Sequence, residues 1–263
     1  MSPPEPMLSA SSRSWPLGSD WVLQPKWDGF RLLIEVAQRS RPQAWSRHGT
    51  SLTSRLADLL EPFAELPGSS VFDGELVVVA ARDGRPVQDF AAVGRAVFGG
   101  RTAALSRLHF VGFDVLALAG EDLRDRPWRE RDQRLAEVLP VCETIRPIKS
   151  LSASPAAHAA IVELGFEGTV MKRPGSIYRS GRHAAWVKHK ARHTAQGVLI
   201  AVRQDRDGQW RAVCDIEGRR AVAIAGPPSS ELLGQPVALV YSRVDADGSL
   251  REARVAGAST RTR

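Results

Sequence analysis

The chain has 263 residues, of which 43% are hydrophobic and 25% are charged, so it is long enough to bury a core. No apolar run approaches the roughly 20 residues of a membrane-spanning helix. The two cysteines, Cys142 and Cys214, are too far apart in sequence for a metal-ligand pair and fit a reducing cytoplasm. The formal net charge of +7 favours a polyanionic partner such as nucleic acid, although an arginine-rich chain with no such role is the alternative.

The first three quarters of the chain alternate between strand and helix patterns. Residues 1–19 lack a signal-peptide core and are expected to form a flexible lead-in. Apolar runs bounded by turn signals predict strands at 21–25, 30–36, 43–46, 71–79, 110–118, 168–173 and 186–190. Helical spacing and end signals predict helices at about 52–63, 89–98, 128–139 and 155–164.

After about residue 193 the helical signals nearly vanish. Short β runs occur at 198–202, 210–216, 220–224, 237–244 and 250–255. Turn dipeptides such as Asp207-Gly208 and Asp247-Gly248 separate them. Five short strands in so few residues predict a small barrel. We therefore expect a first domain over 20–192 and a second over 193–263.

Lys26 is the first candidate for chemistry. It lies in Gln24-Pro25-Lys26-Trp27-Asp28-Gly29-Phe30-Arg31, between a strand and a glycine turn. A lysine at a strand end that faces a cleft is a candidate covalent nucleophile, whereas the Lys-x-Asp-Gly pattern alone also fits a hairpin with a solvated lysine. The chain uses 31 arginines and only 5 lysines. Because lysine can lose its proton and arginine cannot, lysine is retained where the chemistry requires it.

Four more stretches follow in order: Ser46-Arg47-His48-Gly49, Asp73-Gly74-Glu75, Glu167-Gly168-Thr169-Val170-Met171-Lys172 and Trp186-Val187-Lys188-His189-Lys190. Attack by a lysine on an α-phosphorus requires an uncharged amine. Nearby cations would lower the lysine pKa, and the candidates are Arg31, Arg182, Lys188 and Lys190. Glu75 and Glu167 are candidate ligands for Mg²⁺, directly or through water. The set suits phosphoryl chemistry on a nucleotide.

In these five stretches the chain resembles the covalent nucleotidyltransferases, and most closely the minimal, bacterial type of ATP-dependent DNA ligase. The resemblance covers about residues 20–191. It implies an α+β fold, with an ATP-grasp-like adenylation domain of antiparallel sheets and flanking helices, followed by an OB-fold barrel. It also implies a monomer that uses ATP with Mg²⁺ or Mn²⁺ and seals nicks or breaks in duplex DNA through lysyl-AMP. DNA-repair proteins that recruit it are the implied partners.

The same resemblance implies a role for each matching residue. Lys26 would carry AMP, and Gln24, where many relatives have glutamate, would read the adenine edge. Phe113 would stack on adenine, although a phenylalanine is more often part of a core. Glu75 would bind ribose and metal, and Glu167 would bind metal. The remaining ATP-binding residues would be Arg31, Arg47, Lys172, Arg182, Lys188 and Lys190.

The C-terminal part of the chain leaves alternative functions open. The resemblance implies a final basic motif for self-adenylation, but the candidate at 250–255 is degenerate and offers only Arg251 and Arg254. An RNA ligase, a GTP-using capping-type enzyme and a non-catalytic module that binds DNA or a repair partner remain alternatives.

Residues 193–263 carry ten arginines against eight acidic residues. Five of these arginines are candidates for tracking a DNA backbone: Arg203, Arg206, Arg211, Arg219 and Arg220.

Overall fold

The computed structural model describes residues 5–12, 14–16, 20–66, 68–82, 85–99, 108–225, 232–244 and 250–256. The chain divides into two compact units, Met1–His189 and Lys190–Arg263, a few residues ahead of the boundary expected from the sequence. Within the described residues, no helix is both long enough and apolar enough to span a bilayer.

The first unit contains twelve of the described strands: β1 (Met7–Ser11), β2 (Val22–Pro25), β3 (Phe30–Val36), β4 (Gln43–Ser46), β5 (Ser70–Arg82), β6 (Arg85–Gln88), β7 (Leu108–Leu118), β8 (Glu121–Asp122), β9 (Ile145–Pro147), β10 (Leu151–Ser152), β11 (Gly168–Lys172) and β12 (Gly181–Lys190). Its helices are α1 (Ala57–Leu60), α2 (Phe90–Phe98), α3 (Trp128–Val138) and α4 (Pro155–Glu163).

Two sheets organise this unit. One has the order β1-β12-β11-β2-β10, and the other has the order β4-β3-β5-β7-β8, with β6 paired to β5 and β9 to β7. Most neighbours are antiparallel, but β1 runs parallel to β12 and β7 runs parallel to β9. The predicted α+β class is therefore confirmed, with mixed sheets where purely antiparallel ones were expected.

The strand period of two places core and site on opposite faces of the second sheet. Leu32 and Ile34 of β3 pack into the larger core, which includes Phe63 and Phe72 with ring centroids 5.4 Å apart. The alternate face of the same strand carries Arg31 beside Glu75 of β5. One face is thus a hydrophobic layer, and the other is free to build a polar site.

A second hydrophobic cluster joins the two sheets. It contains Leu33 and Leu116 from one sheet and Met7, Ala185 and Trp186 from the other, together with Trp128 and Tyr178. Phe113 packs against its edge. The polar residues on this face of β3 and β5 therefore lie next to a second hydrophobic cluster.

The second unit is a closed barrel built from β13 (His193–Gln204), β14 (Trp210–Ile216), β15 (Arg219–Ile224), β16 (Pro236–Tyr241) and β19 (Arg254–Val255). The order β13-β14-β15-β19-β16 closes because β13 pairs with both β14 and β16. A small hairpin joins β17 (Arg243–Val244) to β18 (Leu250–Arg251). The small core includes Leu199, Ala212, Cys214 and Leu239. The predicted OB-fold barrel is confirmed.

Two predictions of local structure were wrong. The lead-in expected over residues 1–19 contains strand β1, and Met7 is fully buried because it packs between the two sheets. The helix expected at 52–63 is broken into a 3₁₀ turn at Thr53–Arg55, the single turn α1 and a second 3₁₀ turn at Glu61–Glu65. Pro62 lacks the backbone donor that a continuous helix would need there.

Candidate active site

A cavity of about 220 Å³ lies in the first unit, over the polar face of β3 and β5. Nine of the eleven residues predicted for the site line it: Gln24, Lys26, Arg31, Arg47, Glu75, Phe113, Lys172, Arg182 and Lys188. These residues come from stretches spread over more than 160 positions of the sequence. The fold therefore gathers the five stretches around one space.

Lys26 follows the last residue of β2, and its backbone N–H donates to Gly168 O at 2.9 Å. Its side chain is mostly buried, and the ammonium forms an ion pair with Glu167 Oε2. Glu167 is 8% exposed and precedes β11. The predicted nucleophile and one predicted metal ligand are thus in direct contact at the ends of two paired strands.

Two glycines of the motifs are required by close approach. A Cβ at Gly29 would lie 2.2 Å from Leu76 O, so only glycine permits the turn after Lys26 to pass over β5. A Cβ at Gly74 would lie 2.4 Å from the Phe110 ring. The glycines in Lys-x-Asp-Gly and Asp-Gly-Glu therefore let the two functional strands approach their neighbours.

Glu75 is half-buried in the cavity wall opposite Arg31. Burial raises the pKa of Glu75 to about 7, while the nearby cations Arg31 and Lys26 oppose that change. The charged form of such a buried carboxyl group is stabilised strongly when a cation binds beside it. Glu75 is therefore suited to a bound metal ion or to a hydroxyl donor.

Arg31 does not present a free guanidinium group. Its Nε and Nη2 atoms donate to the two carboxylate oxygens of Asp73, each at 2.5 Å, and Asp73 is fully buried. The guanidinium carbon lies 4.5 Å from the centroid of the Phe113 ring. Arg31 therefore reaches the cavity as a fixed cation next to the predicted adenine platform.

Lys172 is more enclosed than a phosphate-binding lysine is expected to be. It is 1% exposed, and its Nζ donates to Phe113 O at 2.9 Å. The same atom lies 4.0 Å from the Trp186 ring centroid and 4.8 Å from that of Phe113. Burial lowers the pKa of Lys172 to about 8. The faces of these two aromatic rings stabilise its positive charge through cation–π interactions.

The other predicted residues differ in exposure. Gln24 is 1% exposed and its Nε2 donates to Ser150 Oγ at 3.0 Å. Arg47 and Arg182 are exposed, and Arg182 Nη1 donates to Ser9 O at 2.6 Å. Lys190 falls in the second unit, where its ammonium pairs with Glu252.

Known proteins carry the same sequence signature. The sequence profile described as "ATP dependent DNA ligase domain" matches residues 6–190. The chain belongs to this family. It is 34% identical over 220 residues to a probable DNA ligase of Streptomyces griseus, with 76% of this chain and 42% of that protein covered. It is 34% identical over 195 residues to the multifunctional non-homologous end joining protein LigD of Pseudomonas aeruginosa, with 73% and 22% covered.

The chain thus spans less than half the length of these ligase-family relatives. Solved structures agree in fold. The ligase domain of M. tuberculosis LigD superposes with a TM-score of 0.60 at 24% identity, over 97% of this chain and 94% of that one. The Chlorella virus DNA ligase-adenylate does so with a TM-score of 0.55 at 18% identity, over 97% and 99%.

The donor set of this ligase-family site fits a divalent metal only in part. Glu167 and Glu75 offer carboxylate oxygens, the ligands that Mg²⁺ prefers. No third histidine, cysteine, aspartate or glutamate completes a cluster anywhere in the described ranges. Two carboxylates fit an ion that takes its other ligands from water and phosphate, so the residues fit Mg²⁺ in that form.

Sequence reasoning gave no role to several residues that build this site. Leu8 and Ser9 of β1 line the cavity, and no motif marked them. Asp73, which was given no role of its own, is a buried partner of Arg31. Trp186 is 2% exposed and also borders the cavity. The fully buried Asp114, bonded to Arg131, is a core ion pair.

Proposed function

We propose that the chain is an ATP-dependent DNA ligase that seals nicks or breaks in duplex DNA through a lysyl-AMP intermediate. Lys26 lines the cavity together with several cations and Phe113 and contacts Glu167, which lies behind it and does not itself line the cavity, and this arrangement carries the proposal. Residues 6–190 supply the family match that supports it. Because the chain covers less than half the length of the named relatives, the activity of the whole protein is a proposal.

In the first step, Lys26 Nζ forms a bond to the α-phosphorus of ATP, and the bond from that phosphorus to the pyrophosphate oxygen breaks. The amine must give up a proton, and Glu167 Oε2 lies where it can hold it. Phe113 offers a ring face to adenine, and Gln24 offers a buried amide to its edge. Pyrophosphate leaves, and AMP remains on Lys26.

Charge on the phosphates has nearby partners. Arg31, Lys172, Arg182 and Lys188 line the cavity and would neutralise phosphate oxygens, and Arg47 would add a contact at the exposed edge. Glu75 and Glu167 would hold Mg²⁺, which supplies further neutralisation of the phosphate oxygens.

In the later steps, AMP passes to the 5′-phosphate of a nick, and the 3′-hydroxyl displaces it to close the backbone. The named relatives include a non-homologous end joining protein, which supports a role in DNA repair. We propose in addition that DNA-repair proteins recruit the enzyme. We propose that the protein acts as a monomer in the cytoplasm. Both cysteines are free thiols, which fits a reducing compartment.

The test is incubation with [α-³²P]ATP and Mg²⁺, followed by a denaturing gel. The native chain should retain label, and Lys26→Arg, which keeps the charge but not the nucleophile, should retain none. Lys149→Arg is the matched control because Lys149 is exposed and does not line the cavity. Label on Lys26→Arg would show that another residue carries AMP.

Labelled GTP in place of ATP tests the capping-type alternative, and a nicked RNA duplex in place of DNA tests the RNA ligase alternative. A native chain that takes no label and seals no pre-adenylated nick would leave the non-catalytic binding module as the function.

A further inference from the structure

Arg31, Asp73, Tyr178 and the backbone of Met7 form a closed ring of hydrogen bonds. The Tyr178 hydroxyl donates to Asp73 Oδ2 at 2.6 Å and accepts from Met7 N at 2.9 Å. Arg31 donates to both oxygens of Asp73, and its Nη2 donates to Met7 O at 3.1 Å. The ring thus links β1, β3, β5 and the segment before β12.

Most members of this ring are buried. Met7 and Asp73 are fully buried, Tyr178 is 5% exposed, and the Arg31 side chain is 14% exposed. A buried carboxylate needs its charge satisfied, and here a guanidinium and a hydroxyl do so. Burial and the Asp73 charge raise the pKa of Tyr178 above its ordinary value, so the hydroxyl keeps its proton and donates it. The bond directions in the ring are therefore fixed.

Arg31 is the one member of the ring that lines the cavity. Arg31 lines the cavity and lies against Phe113, whereas Tyr178, Asp73 and Met7 do not line it. The strand that the ring anchors also contributes Leu8 and Ser9 to the cavity wall, and Ser9 O holds Arg182. Removal of the hydroxyl would leave the buried Met7 N–H without its acceptor and would take from Asp73 Oδ2 one of its two donors, which would loosen both β1 and the Arg31 fork.

We propose that Tyr178 is a positioning residue for the nucleotide: its hydroxyl, through Asp73 and the backbone of Met7, fixes the Arg31 guanidinium at the cavity wall. This inference rests on the proposed function, because it takes the cavity to be the ATP site. A preorganised cation costs less to order when the phosphate binds, so its support should appear in ATP affinity.

Tyr178→Phe removes only the hydroxyl. Binding of α,β-methylene-ATP, which cannot release pyrophosphate, should weaken by about ten-fold, which corresponds to removal of one buried hydrogen-bond partner. With ATP, the concentration that gives half the maximal rate of lysyl-AMP formation should rise by a similar factor, while the maximal single-turnover rate changes little. The matched control is Tyr241→Phe, which removes the same atom from the chain's other tyrosine, in β16. It should bind the analogue as the native chain does.

A double-mutant cycle separates positioning from general stability. If Tyr178 acts through Arg31, the variant carrying Tyr178→Phe and Arg31→Lys should bind the analogue no more weakly than Arg31→Lys alone. Additive losses would overturn the proposal, as would native-like binding by Tyr178→Phe. Circular dichroism first establishes that each variant is folded at the assay temperature.

A measurement on the native chain covers the case in which Tyr178→Phe does not fold. Hydrogen exchange at the Met7 amide, which donates to Tyr178, should slow when α,β-methylene-ATP binds, with the Leu199 amide of the barrel as reference. Unchanged exchange at Met7 in a chain that binds the analogue would overturn the proposal. A native chain that neither binds the analogue nor takes label from ATP would instead refute the proposed function.

Discussion

Each unit of the molecule contains a lysine–glutamate pair and an arginine–aspartate pair, but in different settings. In the first unit, Glu167 beside Lys26 is 8% exposed, and Arg131 and Asp114 are both fully buried. In the barrel, Glu252 beside Lys190 is 51% exposed, and Arg211 beside Asp205 is 37% exposed. These two pairs of the first unit are thus enclosed, although the same unit also has an exposed pair, Arg124 with Asp122, whereas the two pairs of the barrel are open to solvent.

The difference separates two uses of charge. An enclosed pair has one geometry and a strong interaction, because little water screens it. Such a pair can hold a reacting group or a substrate in one position. An exposed pair is screened and exchanges partners readily, which suits contacts with a repeating phosphate backbone. The first unit has the properties of a reaction site, and the barrel those of an adaptable surface.

The largest expected effect compares the two arginine–aspartate pairs. Arg131→Met would leave Asp114 buried without its main partner and should lower the free energy of unfolding by about 3–5 kcal/mol. Arg211→Met is the matched change in the barrel and should leave the free energy of unfolding of that unit almost unchanged. Guanidinium chloride unfolding measures both. Equal decreases would show that exposure does not distinguish the pairs.

The second comparison uses the lysine–glutamate pairs. Glu167→Gln keeps the shape but removes the proton acceptor beside Lys26, so the rate of lysyl-AMP formation should fall by about 100-fold or more. Glu252→Gln, beside Lys190, should change that rate by no more than about two-fold, since its partner is screened by solvent. Thermal melting should place both variants close to the native chain. A strongly destabilised Glu167→Gln that still forms lysyl-AMP at the native rate would refute the catalytic assignment.

The third effect is on DNA affinity. Changing Arg203, Arg206, Arg219 and Arg220 to serine removes four exposed barrel cations. The slope of log affinity against log salt for a nicked duplex should become shallower by up to about 0.9 for each phosphate that the barrel no longer neutralises. Serine at Arg39, Arg41, Arg129 and Arg134, exposed residues of the first unit, removes the same charge. An equal slope change in both sets would assign the effect to net charge.

The smallest effect concerns pH and stability. The folded chain holds Lys172 with a pKa near 8, below the ordinary 10.5, so the unfolded chain binds this proton more tightly. The cost of burying the charged amine is full below about pH 8 and disappears as pH rises toward 10.5. The native chain should therefore gain stability relative to Lys172→Met between pH 8 and 10. Lys149→Met, at an exposed lysine, should show no such trend in urea unfolding. A constant difference for Lys172→Met would contradict the lowered pKa.

Local pattern was enough for much of the fold. The alternation in β3 separates Leu32 and Ile34 from Arg31, and the structure keeps that separation. Glycines 29 and 74 sit where a side chain would collide with a neighbouring strand, so their places in the motifs reflect backbone packing. The barrel followed from strand length and turn spacing, because each hairpin is a local structure.

The sequence by itself determined most of the longer strands, the barrel and the set of chemical groups that surround the cavity, because spacing along a strand decides which face a side chain takes. The tertiary structure alone decided how those groups are held. Tyr178 meets Met7 across 171 positions, and Lys172 reaches Phe113 O across 59. Strand β1 is stable only beside β12, and Met7 has no burial until the two sheets meet. Contacts between residues so distant in sequence carry no periodic signal, because they form only when separate strands pack together.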